Sequence, residues 1–379
     1  MKVLHIGKYY FPFFGGIEKV TQELVENEVY SESVTSCVLV HQHLSSLHTS
    51  YETINNVEVR KVAISGVFAY APIAPTFLYE LNKAIDEFQP DIIHVQMPNL
   101  SAFTCLLSSK AKKIPWVIHW QSDVIGAVPD FKIKLLYPFY RIFEKALLKQ
   151  CQKIITTSPP YLECSSALTE YKSKCSVIPI GIKDSVDASL SPQQNNGLSL
   201  LMIGRLTYYK GHELILKALS QFTDEKVTLT IIGSGELKEK LVGLANTLQL
   251  NDKVNFLGSV DGETLAAELV NTDLLCLPSI EKTEAFGVVL LEAAMHGKPA
   301  LVSNVEGSGM SWVVQDAQTG FVVKSNNVDA IVQSLTNVIN NKEQLKSLGV
   351  NARTRFEQTF NLNVVAKQII DVYLTCLKR

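Results

Sequence analysis

Two carboxylates bracket the segment EAFGVVLLEAAMHGKP: Glu284 and Glu292, with Val288, Val289, Leu290 and Leu291 between them. Read as one helix at about 100° per residue, they stand roughly 80° apart around the axis and about 12 Å apart along it. They cannot grip one atom, but they can hold two parts of one elongated ligand. Glu284 falls where helix N–H groups are still unpaired, a place that favours anions or hydroxyl-rich ligands. A capping glutamate followed by a solvated one is the plain alternative.

A second constellation lies in LMIGRLTYYKGHELILKAL, where Gly204 and Arg205 follow an apolar run and Lys210-Gly211 opens an amphipathic one. An arginine fork and a lysine point charge converging on a helix N-terminus would bind a diphosphate without a metal. Two solvated basic residues are the alternative, and no GxxxxGK[ST] loop is present. TIIGSGEL repeats the theme of strand then glycine with Gly233, Ser234 and Gly235, and VNFLGSV does so with Gly258, Ser259 and Val260, whose backbone could pair with a base edge. In FPFFGGIEKV, Gly15 and Gly16 precede the helical pattern Val20, Leu24, Val25, and would let backbone approach a phosphate or sugar. Each glycine motif also reads as an ordinary turn.

His119 in WVIHWQSD ends a very apolar run, as a core histidine or a functional one. Asp123 could orient it or cap the next helix, and His94 in DIIHVQ has the same two readings. Residues 132–153 hold six basic residues and one acid, interleaved with Tyr137, Phe139, Tyr140 and Phe143. Such a segment suits an anionic membrane surface, or a surface helix whose aromatics face the core.

Loops of this kind need strands to carry them. KVLHIG, SCVLVH, VEVRKVAI, DIIHVQ, WVIHW and KIITTS, then LSLLMIG, VTLTIIG, KVNFLG, DLLCLPS and PALVS, alternate with helical patterns. Short apolar runs separated by helices are what parallel sheets covered on both faces require, and two doubly wound α/β sheets follow. Ligands of such sheets bind beyond the carboxyl ends of the strands, where the motifs above stand. The polar stretch KDSVDASLSPQQNNG reads as a linker over 185–198, separating a domain at 1–184 from one at 199–362. From 363 to 379 a stripe of Val364, Val365, Ile369, Val372, Tyr373 and Cys376 predicts a helix that packs back on the first domain.

At 379 residues, 46% hydrophobic and 19% charged, the chain is long enough for two globular domains, and a net charge of −2 gives no case for nucleic-acid binding. Seven cysteines without a CxxC pair argue against a disulfide framework. The first residues lack a signal-sequence pattern and no run of eighteen apolar residues occurs, so a cytoplasmic protein is expected.

These residues together resemble retaining glycosyltransferase family 4, of GT-B fold, with two Rossmann-like domains facing across a cleft. The resemblance is carried by Gly15-Gly16, His119, IPIGI, GRLTYYKG, GSGE, FLG and, most specifically, the E-x7-E pair in EAFGVVLLEAAMHGKP. It implies that Arg205 and Lys210 hold a donor diphosphate and that Glu292 binds the ribose of the nucleotide. It further implies that Glu284 binds the donor sugar, with Phe286, Gly287 and Val288 near sugar and phosphate and with Gly233, Gly258, Ser259 and Val260 lining the donor site. His119 would lie beside the reacting sugar, and Gly15-Gly16 near phosphate and acceptor. His119, Arg205, Lys210 and Glu284 would form the catalytic set. The family is metal-independent, in keeping with the lack of a DxD pair here, and needs no cofactor beyond its donor. The chain departs from the common pattern at NVEGSGMSWVV, where many relatives have a glycine pair and a glutamate, so that stretch receives no role.

HWQSDV and SPPYLE…IPIGI are similar to bacterial mannosyltransferases of surface-polysaccharide assembly. This implies GDP-mannose as donor, with a UDP-sugar as alternative. The acceptor would be an oligosaccharide on polyprenyl diphosphate, in O-antigen, capsule or exopolysaccharide biosynthesis, met by a protein peripheral to the cytoplasmic face of the inner membrane. A GT-B sugar-nucleotide epimerase, releasing epimerised sugar from donor alone, and a non-catalytic nucleotide-sugar sensor are the rival readings.

Overall fold

The computed structural model describes residues 1–13, 16–44, 46–68, 71–124, 131–187, 189–190, 197–223 and 226–378, the side chains at 17 and 131–135 excepted. Two compact units result: Met1–Lys183 with Leu362–Arg379, and Asp184–Asn361.

Among the described residues of the first unit, eight strands form one sheet. Their order is Cys175–Val177, Lys153–Thr156, Trp116–Trp120, Ile92–Met97, Lys2–Ile6, Thr35–His41, Val57–Val62, Ser50–Ile54. Every neighbouring pair is parallel except the last, an antiparallel hairpin at the edge. The central strands Ile92–Met97 and Trp116–Trp120 are buried at every position, as layers covering both faces of a sheet require. The helix Leu362–Leu377 places Leu362, Val365, Ala366, Ile369 and Tyr373 in one core with Val3, Val38, Ile92 and Val117.

In the second unit six strands run parallel in the order Val254–Gly258, Val227–Ile232, Leu198–Ile203, Leu274–Leu277, Ala300–Asn304, Gly320–Lys324, again among the described residues. The helices His212–Leu219 and Val328–Asn340 bury Ile215, Leu216, Leu219, Ile331 and Leu335 against it. Both units therefore have the doubly wound sheet that defines the expected two-Rossmann GT-B class. In the second, the strand order reverses between Leu198–Ile203 and Leu274–Leu277. The carboxyl ends of two strands that flank such a reversal are the usual seat of a ligand in this architecture.

Candidate donor site at the carboxyl edge of the second sheet

The loop leaving Leu198–Ile203 carries Arg205, and its short helical turn Tyr208–Lys210 ends on Lys210. The loop leaving Leu274–Leu277 carries Glu284. The two loops are laced together: Ile280 N–H donates to the Tyr209 carbonyl at 2.8 Å, and the Tyr208 hydroxyl donates to Glu281 Oε2 at 2.6 Å. That bond, more than burial, raises the Tyr208 phenol to about 12. At the junction Lys210 Nζ forms an ion pair with Glu284 Oε2, both side chains 12% exposed. The lysine tip rides over Gly204, where a Cβ would stand 3.2 Å from Nζ. His212 just beyond is pushed down to about 4, by burial first and the Lys210 charge second, so it stays neutral beside the cation.

Two helices begin at this junction, His212–Leu219 and Val288–Met295, and neither has a side-chain hydrogen bond capping its first turn. Their unpaired N–H groups and dipoles add partial positive charge beside Lys210. A pyrophosphate suits this geometry.

Three sequence expectations change here. Glu284 is not on the helix with Glu292: Gly287, in the left-handed region at φ 81°, starts the helix at Val288 and puts Glu284 in the preceding loop. The spacing drawn from one continuous helix therefore fails, because a Cβ at 287 would strike Leu277 and Leu290 at 2.9 Å and only glycine turns the chain there. Arg205 and Lys210 do not converge either. Arg205 is 73% exposed and faces Glu236 Oε2 at 3.5 Å, whereas Lys210 faces Glu284. Finally, Asp123 does not orient His119. Asp123 accepts from Trp120 Nε1 at 3.0 Å and Ser165 Oγ at 2.8 Å, while neither ring nitrogen of His119 has a hydrogen-bond partner among the described residues.

The separate glycine motifs prove to be neighbours. Gly204 N–H donates to Ile232 O at 2.9 Å and Gly233 N–H to Gly258 O at 2.8 Å, so three strand ends lie edge to edge. Ser259 Oγ reaches Ser234 Oγ at 3.2 Å on the same rim, and Val260 follows in the loop that leads to the Asp261 cap. Gly233 has φ 138°, and a Cβ there would meet the Gly204 carbonyl oxygen at 2.0 Å. Gly233→Ala is therefore expected to destabilise the second unit by about 3 kcal/mol or more, since both backbone strain and a backbone clash must be relieved. Denaturant unfolding followed by intrinsic fluorescence checks this, and a midpoint equal to the parent's would refute it.

Glu292 lies one turn into Val288–Met295, half-buried. Phe286 is 3% exposed and packs on Trp312 and Phe360, so what it offers a ligand is backbone. Two residues had no expected role: Ser308 Oγ donates to the Glu284 carbonyl, and Gly309 N–H to the Ala285 carbonyl at 2.7 Å. They come from the departing stretch NVEGSGMSWVV and fix the backbone under the ion pair; no spacing in the sequence signals this. In the first unit, Gly16 begins the helix Gly16–Val25, while Gly15 lies outside the described residues. His119 is 1% exposed, and burial lowers its imidazole to about 4.

Comparison with known proteins follows this division. The model described as glycosyl transferases group 1 matches residues 190–355, and that of a glycosyl transferase 4-like domain matches residues 15–181. Over 389 aligned residues the chain is 27% identical to the O-antigen chain mannosyltransferase C of Escherichia coli, covering 100% of this chain and 99% of that protein. It is 29% identical over 368 residues to the D-rhamnosyltransferase WbpZ of Pseudomonas aeruginosa, covering 95% and 92%. The solved sucrose-phosphate synthase of Thermosynechococcus elongatus shares the fold, with a TM-score of 0.79 over 99% of this chain and 98% of that one at 19% identity.

Proposed function

The chain belongs to the glycosyltransferases built from a 4-like and a group 1 domain, and from that premise we propose a retaining, metal-independent hexosyltransferase of bacterial surface-polysaccharide assembly. Its donor is GDP-mannose and its acceptor an oligosaccharide on polyprenyl diphosphate. It takes no cofactor beyond the donor. The observation that carries this reading is the Lys210–Glu284 pair set between two uncapped helix starts at the point where the strand order reverses. Full-length similarity to an O-antigen chain mannosyltransferase supports mannose and an O-antigen-type acceptor.

Cleavage of the anomeric C–O bond leaves a nucleoside diphosphate with added negative charge and a cation-like sugar. Lys210 and the two helix starts stabilise that charge as it develops, which accelerates the step because the ground state carries less of it. Arg205 swings from Glu236 to the same phosphates. Glu284 exchanges its share of Lys210 for sugar hydroxyls, and Gly233, Gly258, Ser259 and Val260 line the base. The leaving phosphate accepts the proton of the attacking acceptor hydroxyl on the same face of the sugar, and configuration is retained. His119, neutral and with neither nitrogen hydrogen-bonded among the described residues, has capacity for a sugar hydroxyl.

Among the described residues no helix is long and apolar enough to cross a membrane. Phe131–Gln150 exposes Phe139, Ile142 and Phe143 while its one acid, Glu144, is buried against Arg141. That face supports peripheral seating on anionic lipid at the cytoplasmic side of the inner membrane.

Release of nucleoside diphosphate from GDP-mannose, an activated D-rhamnose and a UDP-hexose, each with lipid extract, tests the reading. Turnover only with a UDP-hexose would overturn the mannose assignment, and epimerised free donor sugar would overturn transfer itself. Glu292→Ala is expected to weaken donor binding about 10-fold or more, the scale of losing hydrogen bonds to a charged acceptor. Unchanged affinity by calorimetry would remove the ribose assignment.

A further inference from the structure

Behind His119 runs a chain of buried hydrogen bonds that reaches the C-terminal helix. Gln121 Nε2 donates to Gln96 Oε1 at 3.1 Å, and Gln96 Nε2 lies 3.4 Å from His94 Nε2. His94 Nδ1 contacts the Tyr373 hydroxyl, which lies 3.0 Å from the Tyr30 hydroxyl, itself 3.1 Å from His5 Nε2. All six side chains are at most 5% exposed. Each hydroxyl and ring nitrogen along the chain can donate or accept, so every link can be satisfied at once.

The chain frames His119. Gln96 is its register partner on the adjacent strand, and Gln121, two residues on, shares its face of the sheet. The His94 ring lies between those of His5 and His119, with centroids 5.1 and 5.5 Å away. His119 has no hydrogen bond of its own among the described residues, so its ring is oriented by packing, the His94 ring included. We infer that Tyr373 is a positioning residue: from the C-terminal helix its hydroxyl holds the His94 ring that packs on His119, and thereby the orientation of His119. This rests on the proposed role of His119.

The test compares the full-length parent with Tyr373→Phe, Tyr30→Phe and His119→Ala, measuring kcat and donor KM by nucleotide release and melting temperature in parallel. Each phenylalanine removes one buried hydroxyl, but only Tyr373 touches His94. Tyr373→Phe is expected to lose about 10-fold or more in kcat with donor KM unchanged, because small misorientation of a reacting group is costly and the proposed phosphate contacts lie in the other unit. Tyr30→Phe is expected to melt lower by a similar amount and keep the parent kcat. Parental kcat in Tyr373→Phe, or an equal loss in both phenylalanine variants, overturns the inference and leaves the transferase reading standing. Full activity in His119→Ala, or a parent inactive with every donor, overturns the underlying reading and the inference with it.

Discussion

Replacing Lys210 with alanine is expected to lower kcat by about 10²-fold or more, the scale of removing a preorganised donor from developing charge. The reason is local. Lys210 is held by Glu284 and backed by Gly204, so its ammonium needs no reorganisation when the phosphate arrives. Arg205 is exposed and paired only loosely with Glu236, so Arg205→Ala should cost less. A double variant, Lys210→Ala with Glu284→Ala, separates the roles of the pair. If Glu284 serves only to hold Lys210, the double loss equals the Lys210 loss, whereas a carboxylate that also meets the sugar adds its own decrement. Measurement needs only nucleotide release at saturating donor. A Lys210→Ala enzyme within a few-fold of the parent would remove the phosphate role.

Acid is the second strong lever. Burial depresses His5 to about 3, His41 and His119 to about 4, and His94 well below its ordinary value, all in the first unit. The unfolded chain protonates these rings near pH 6.5, while the folded unit refuses the proton until about pH 4 or below. The unfolded state thus binds more protons across that window. Stability is fully present above about pH 6.5 and is lost as pH falls toward 4. At pH 5 His5, His41 and His119 each cost about 2 kcal/mol and His94 acts in the same direction, together a large share of the stability of a typical domain. Glu18 and Glu144, raised chiefly by burial, titrate with the opposite sign and offset part of this. The first unit's melting temperature is expected to drop by about 10 °C or more between pH 7 and pH 5. A flat profile would mean that these rings are not sealed from water.

Strands in the middle of the two sheets are legible in the sequence, whereas some edge strands are not. DIIHVQ, WVIHW and LSLLMIG announce themselves because a strand covered on both faces is rich in apolar residues and holds only a few polar ones. Ser50–Ile54 escaped because three of its five residues are exposed at the sheet edge, and Gly320–Lys324 because it opens on glycine after a polar turn and is only partly buried. The class of chemistry was legible from residue type: a lysine beside a helix start, glycines at strand ends, and paired glutamates. Geometry was not. Treating Glu284 to Glu292 as one helix ignored Gly287, whose left-handed backbone is invisible in a helical periodicity. Converging Arg205 with Lys210 presumed directions that only packing sets.

Composition and periodicity by themselves determined two doubly wound sheets and motifs on the carboxyl-end loops, because burial on both faces and backbone permissiveness are properties of residues taken in order. Tertiary structure alone decided that Lys210 meets Glu284, that Gly204, Gly233 and Gly258 form one rim, and that Tyr373 bonds His94. Those partners lie tens to hundreds of residues apart, and strand order, which no local pattern encodes, is what brings them within a hydrogen bond.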